Sequence, residues 1–437
     1  MHLFPRLALP ALILLALIGC NGPSSTSSGS TTATSDADLA RFRLVLNRVK
    51  SSYVDPVGEG KLVDSSLKGM LTGLDPHSDY MNEQEYGEML DDSAGEFAGI
   101  GAELTRDDSH PVVITPIDDT PAARAGIQAG DIILRIDGQV TDGMSLKNVV
   151  DALRGPADTK VKVTIARKSK EPFDITLTRA VIRVDSVKSI SEPNGIGYAR
   201  ITSFAETTQR ELVRAIDDLQ TKAGGKLKGF VLDLRNNPGG LLDQAVRVAG
   251  DFLDGGSTVS TRGRSPDDTR VFPAPANGDR LRGIPVVVLI NGASASAAEI
   301  VAGALQDRKR AEVLGTQSFG KGSVQTIIPL DGHGALRLTT ARYYTPSGRS
   351  IQGKGIVPDR IVVQPKGPQA NEADIIREAD LPGALDGNGG VLTHAAGQDS
   401  ETRSEIIIGP AAIATAQDVQ LKAALDDLAK GFQVGAK

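Results

Sequence analysis

Residues 286 to 325 constrain what this chain can fold into more than any other stretch. Val286-Val287-Val288-Leu289-Ile290 is an uninterrupted apolar run of strand length, the pattern of a strand buried on both faces. It enters a turn of small residues, Asn291-Gly292-Ala293-Ser294-Ala295-Ser296, and then an alanine-rich helix expected from Glu299 to Leu305. Further on, Lys321 stands between Gly320 and Gly322, where backbone can approach closely and a long side chain can reach inward. Strand–turn–helix units build α/β layers that bind ligands at the strand ends. Ser296 is therefore read as a nucleophile and Lys321 as its general base.

Three other chemistries share these residues. Gly315 to Gly322 fits the start of a phosphate-binding loop, but Gly322 follows the lysine where magnesium needs Ser or Thr. Ser323 to Leu330 also reads as a strand, where that loop needs a helix. Ser318-Phe319-Gly320-Lys321 fits Ser-x-x-Lys, which needs one helical turn between serine and lysine; the two glycines oppose it. A histidine base would have to come from afar, and His333 sits in an Asp-Gly-His-Gly turn. A lysine acting near neutral pH must lose roughly 2–3 pK units, about 3–4 kcal/mol, which burial supplies. Gln325, four residues on, is expected to share its face and hold it without adding charge. Amides at the Ser296 helix start and in the Pro238-Gly239-Gly240 turn are candidate oxyanion donors.

Composition removes other classes. The net charge of −6 lacks the basic field of a nucleic-acid binder, and the absence of tryptophan argues against stacking platforms. A single cysteine, Cys20, excludes a disulfide framework and cysteine-rich metal sites, and no histidine pair has HExxH-like spacing. Neither a metal nor a cofactor is expected.

The 437 residues allow several domains. Residues 1–19 read as a leader, with Arg6 before an apolar run from Leu7 to Ile18 too short to span a bilayer comfortably. Residues 20–36 form a Ser/Thr/Gly-rich tether. Residues 37–92 are expected to be helical, 93–183 a β-rich module, and 184–366 an α/β core of alternating strands and helices. Residues 367–437 are looser and end in an amphipathic helix bearing Leu421, Ala424, Leu425 and Leu428.

The β-rich module resembles a PDZ domain. Phe97-Ala98-Gly99-Ile100-Gly101-Ala102, the short helix Pro121-Ala122-Ala123-Arg124-Ala125-Gly126, the strand from Ile132 and a groove helix capped by Ser145 occur in that order. The resemblance implies that a chain end adds as a strand while the loop holds its carboxylate, which names Phe97, Gly99, Ile100 and Gly101. Leu17-Ile18-Gly19-Cys20 resembles a lipobox, implying a lipidated Cys20 and a membrane anchor.

Leu234-Arg235-Asn236-Asn237-Pro238-Gly239-Gly240, Ser294-Ala295-Ser296-Ala297-Ala298-Glu299, Phe319-Gly320-Lys321-Gly322-Ser323-Val324-Gln325 and Tyr344-Thr345-Pro346-Ser347-Gly348-Arg349 look like the carboxyl-terminal processing (tail-specific) serine peptidases. Asp75-Pro76-His77-Ser78-Asp79-Tyr80 fits that family's segment ahead of the PDZ. The match runs from about Ala37 to Gln364. It implies a multidomain protein, an α/β mixed-sheet serine peptidase core with an inserted PDZ domain and helical ends. It also implies Ser296 as nucleophile, Lys321 as base, Gln325 as its orienting partner, and an oxyanion hole from Ala297 with Gly239 and Gly240. The function expected is an endopeptidase of the bacterial periplasm that binds proteins by their C-terminal tails, with self-association and an adaptor protein as further partners. A silent PDZ scaffold is the alternative. Arg154, ending the groove helix, is read either as a bridge from the loaded PDZ that aligns Lys321 or as a solvated arginine favoured by the helix dipole.

Overall fold

A computed structural model describes residues 35–107, 110–168, 170–365, 370–374, 376–387, 390, 404–408 and 413–431. The leader, Cys20 and nearly all of the 20–36 tether lie outside the described residues. The chain divides into two compact units at Val63 and Asp64.

In the first unit, α1 (Asp36–Ser52) begins where the Ser35 hydroxyl accepts from the Asp38 amide at 3.2 Å, with Asp36 and Asp38 complementing the helix dipole. It buries no residue, and Leu39, Phe42, Leu44 and Val45 are exposed. Helix α2 (Glu59–Thr72) straddles the division.

In the second unit, α3 (Glu83–Ala94) starts with a reciprocal cap. Asn82 Oδ1 accepts from the Glu85 amide, and the Glu85 carboxylate accepts from the Asn82 amide, each at 3.0 Å. Gly95 then stops the helix in the left-handed region. The chain enters the β-rich module through Glu96–Gly99 and leaves through Ala180–Arg183, and these two segments pair antiparallel. Between them lies a six-stranded antiparallel sheet, flanked by α4 (Pro121–Arg124) and α5 (Leu146–Leu153). Alternate residues Val161, Val163 and Ile165 point into the module's core, where Val149 and Leu153 of α5 join them.

The main layer is a mixed six-stranded sheet, in the order Val187–Glu192, Ile196–Ile201, Gly229–Asp233, Val286–Ile290, Glu312–Gly315, Arg360–Ile361. Its first pair is antiparallel and the others parallel. The three central strands are buried at every position, so both faces need cover. Helices α6 (Thr208–Lys222), α7 (Leu242–Gly250) and α8 (Ala297–Asp307) contribute to one apolar core. Helix α9 (Val419–Ala429) brings Leu421, Ala424 and Leu428 onto Tyr198, Val231, Val287, Leu289 and Leu314 in the other.

A second, antiparallel sheet carries the lysine side of the site. Ser323–Pro329 and Ser257–Gly263 both pair with Ala335–Tyr344. So does Asp79–Met81, from the segment before the module. Residues 37–92, expected to be helical, do carry α1, α2 and α3, and Asp79–Met81 is a strand between the last two.

Candidate active site

Two turns at the ends of parallel strands meet to form the site. The turn after Gly229–Asp233 carries Asn236 and the turn after Val286–Ile290 carries Asn291. Asn291 Nδ2 donates to Asn236 Oδ1 at 2.7 Å, and the Asn236 amide donates to Asn291 Oδ1 at 3.0 Å. The Ala295 amide adds a bond to the Asn237 carbonyl at 2.9 Å.

These contacts separate the three serines. The buried Ser294 hydroxyl donates to the Leu234 carbonyl at 2.8 Å and accepts from the Asn291 amide at 2.9 Å. The Ser318 hydroxyl, also buried, donates to Glu299 Oε1 at 2.5 Å and accepts from the Ile356 amide at 2.6 Å. Both are structural. Ser296 is half-buried at the N-cap of α8 with φ 54° and ψ −112°. A non-glycine residue there stores about 1–3 kcal/mol of strain, as in strand-to-helix elbows that present a nucleophile.

Glu299, wholly buried in the first turn of α8, is the hub. Its Oε2 accepts from the amides of Ser296 (2.8 Å) and Lys321 (2.9 Å), and its Oε1 from the Gly320 amide (2.7 Å) and the Ser318 hydroxyl. Burial pushes its carboxyl up to about 7, against the four donors that favour the ionised form. Sequence reasoning gave Glu299 no role, although Ser-x-x-Glu before an apolar run is a recognisable capping pattern.

Lys321 lies just outside the Ser323–Pro329 strand and is half-buried. Desolvation holds its ammonium below the ordinary lysine value, assisted by Arg337 and opposed by Glu378, Asp75 and Glu299. Gln325 sits beyond a register shift and does not hold the lysine directly. Its Nε2 donates to Ser323 Oγ (2.9 Å) and Thr339 Oγ1 (3.1 Å), and Thr339 Oγ1 donates to Asp75 Oδ1 (3.1 Å). Burial would raise Asp75, yet the Ser78 hydroxyl, the His77 and Ser78 amides and Thr339 keep it below the usual carboxylate range.

The glycine turn is pressed against Ser296. A Cβ on Gly239 would stand 2.8 Å from Ser296 Cβ and 3.1 Å from the Ala297 nitrogen, at φ +105°. The Gly239 amide donates to Asn237 Oδ1 at 2.8 Å, so its expected part as an oxyanion donor does not fit this arrangement; its contribution is the missing side chain. Gly240, at φ +139°, crosses the Phe204 carbonyl. Both glycines line a cleft of about 540 Å³ that also holds Met81, Met89, Phe204, Leu241 and Ile327.

In the β-rich module, Ile100 packs inside the core, so only its backbone is available to a ligand. Gly101 has φ +76° and room for no side chain beside Thr120. Phe97 and Gly99 lie in the entry strand. Arg154 sits 5.2 Å over the Phe97 ring and pairs with Asp92 of α3 at 3.4 Å. It meets α3 rather than the groups around Lys321. Among the described residues no three His, Cys, Asp or Glu gather as for a metal, and no helix is long and apolar enough to cross a membrane.

Residues 195–362 match the model of peptidase family S41, residues 112–167 that of a PDZ domain, and residues 21–85 that of the activating protease CtpB N-terminal domain. The chain is 51% identical over 352 residues to the carboxy-terminal-processing protease of Bartonella bacilliformis, covering 80% of this chain and 81% of that protein. It is 35% identical over 360 residues to the carboxy-terminal processing protease CtpA of Bacillus subtilis, covering 82% and 76%. Among solved structures, a photosystem II D1 C-terminal processing protease shares 31% identity over 76% of this chain and 95% of that one, with a TM-score of 0.45.

Proposed function

Given that this chain belongs to the carboxy-terminal-processing proteases of peptidase family S41 and carries their PDZ domain, we propose that its peptide-bond hydrolysis runs through Ser296 and Lys321. One observation carries the assignment. A single buried oxygen, Glu299 Oε2, binds the backbone amides of both residues and so ties the two loops that carry them to one point. Neutral Lys321 takes the proton as Ser296 Oγ attacks the substrate carbonyl. The Ala297 amide, with the Gly240 turn, receives the charge that develops on oxygen. The lysine ammonium then protonates the leaving amine, and the acyl-enzyme is hydrolysed by a water that Lys321 activates in turn. Gln325 acts at one remove, by fixing Ser323 and Thr339 beside the lysine strand.

The PDZ domain takes the free C-terminal tail by strand addition next to the Gly99–Gly101 loop. The cleft beside Gly239 and Gly240 mixes apolar Met81, Met89, Phe204, Leu241 and Ile327 with charged Asp79, Glu85, Glu88, Asp92 and Arg337, and its apolar part suits small or apolar residues of an unfolded chain. Arg154, paired with Asp92, would report tail binding to α3, whose Glu85, Glu88 and Met89 line that same cleft. In this reading the leader-like residues 1–19 and Cys20 would carry the enzyme to the bacterial periplasm on a lipid anchor, and the exposed apolar residues of α1 favour self-association.

The test is cleavage of an unfolded protein bearing an apolar C-terminal tail. Cleavage by the wild type, its loss in Ser296→Ala and its slowing when the tail is amidated fit the proposal. A Ser296→Ala variant that still cleaves at the wild-type rate ends it. Tail binding with no cleavage under any condition would favour the scaffold reading.

A further inference from the structure

The segment after Lys366 carries no motif, yet two of its residues reach the loop that bears Lys321. Arg377 Nη1 donates to the carbonyls of Gln317 (3.0 Å) and Ser318 (2.7 Å), and the Glu378 amide donates to the Phe319 carbonyl (3.1 Å). The Glu378 carboxylate is 0% exposed. It accepts from Gln352 Nε2 at 2.7 Å and meets His77 Nε2 at 2.7 Å. The other end of the Gln352 amide, Oε1, accepts from the Gly322 amide at 2.9 Å. Glu299 holds Ser318, Gly320 and Lys321; Arg377, Glu378 and Gln352 hold Gln317, Ser318, Phe319 and Gly322. No residue from Gln317 to Gly322 is left untied.

We propose that Glu378 is a positioning residue for Lys321, and that the 377–378 turn makes the C-terminal segment a working part of the active site. This rests on the Ser296–Lys321 reading. A buried carboxylate is costly unless its oxygens are fully used. Here each oxygen has a partner, and the partners come from remote parts of the chain: His77 from before the PDZ, Gln352 from beyond the lysine strand. A satisfied buried network of this kind is rigid. Rigidity is what a half-buried amine needs, since a misplacement of about 1 Å can cost about 10²-fold in rate. The charge matters too. Glu378, Asp75 and Glu299 oppose the loss of the lysine proton, while Arg337 favours it.

The experiment measures acylation by a fluorophosphonate from pH 6 to pH 10 on the full chain, with Tm recorded for each variant. Glu378→Gln is expected to lower the plateau rate about 10-fold or more. It should also move the lysine-dependent limb to lower pH, because a nearby negative charge is gone. Tail binding to the PDZ should not change. The exchange Gln352→Glu with Glu378→Gln keeps the chain from His77 to the Gly322 amide, with loss of the Gln352 Nε2 bond to the Leu385 carbonyl, and should recover part of the plateau. Glu378→Gln acylating like the wild type with an unmoved limb would overturn the proposal. So would an exchange variant that regains Tm but not acylation, since that marks a merely structural role. Acylation at the wild-type rate in Lys321→Met would instead sink the Ser296–Lys321 reading on which the proposal stands.

Discussion

The backbone amides of Ser296 and Lys321 donate to the same atom, Oε2 of Glu299, at 2.8 and 2.9 Å. Residues from two turns are thereby brought to one point by a carboxylate that neither turn contains. The bond to Ser296 lies within the first turn of α8; the bond to Lys321 crosses 22 residues of sequence.

Replacing that carboxylate should therefore separate the pair. In Glu299→Gln an amide NH2 must face either the Ser296 and Lys321 amides or Ser318 and Gly320, donor against donor. The expected result is a fall in kcat of about 10²-fold with tail affinity unchanged. Steady-state kinetics beside a tail-peptide titration check it.

Lys321→Met should be inactive and yet more heat-stable. Burial lowers the lysine in the folded chain, whereas the unfolded chain keeps its proton to about pH 10.4. Between those values the unfolded state binds more protons, so wild-type stability rises with pH. The Met variant should lead in Tm by on the order of 1–3 °C near neutrality, and the lead should shrink as the pH approaches 10. Thermal melts across pH decide it; a constant or growing lead would contradict the burial argument.

Gly239→Ala places a methyl 2.8 Å from Ser296 Cβ at φ +105°. Displacing Ser296 should reduce fluorophosphonate labelling about 10²-fold while the PDZ still binds tails. Gly126→Ala, at φ +75° but with nothing within 4 Å, is the matched control for backbone strain alone.

Asp418→Asn tests the anchor of α9. Asp418 meets Arg235 at 2.7 and 2.8 Å, Arg235 is also bound to Asp233, and none of the three side chains is appreciably exposed. Removing one of the two carboxylates from a buried guanidinium that Asp233 still neutralises should destabilise by about 1.5–3 kcal/mol. Because Arg235 opens the turn that ends at Gly240, activity should fall before the chain unfolds. Denaturant melts and kcat, measured together, check both parts.

Much of this was legible in the residues. Ile196–Ile201 and Val286–Ile290 are strands to the residue, because runs buried on both faces announce themselves without periodicity. The groove helix behind Ser145 and the Thr120 cap were also readable, since a cap is a local device. What stayed hidden is long-range. Composition does not distinguish Ser294 from Ser296; the Leu234 carbonyl and a positive φ do. Asp79–Met81 is too short to show a period, and only Ala335–Tyr344 makes it a strand. Glu378 looks like any surface glutamate until His77 and Gln352 close over it, from 301 and 26 residues away. The direct Gln325–Lys321 pairing failed on a register shift between Val324 and Gln325, which no propensity foretells.

The most direct measurement maps the fluorophosphonate adduct by peptide mass spectrometry in the wild type and in Lys321→Met at one pH. The account predicts a single adduct on Ser296 in the wild type, reduced by about 10²-fold or more in the variant. An adduct on Ser294 or Ser318, or one on Ser296 that forms equally fast without the lysine, would contradict it.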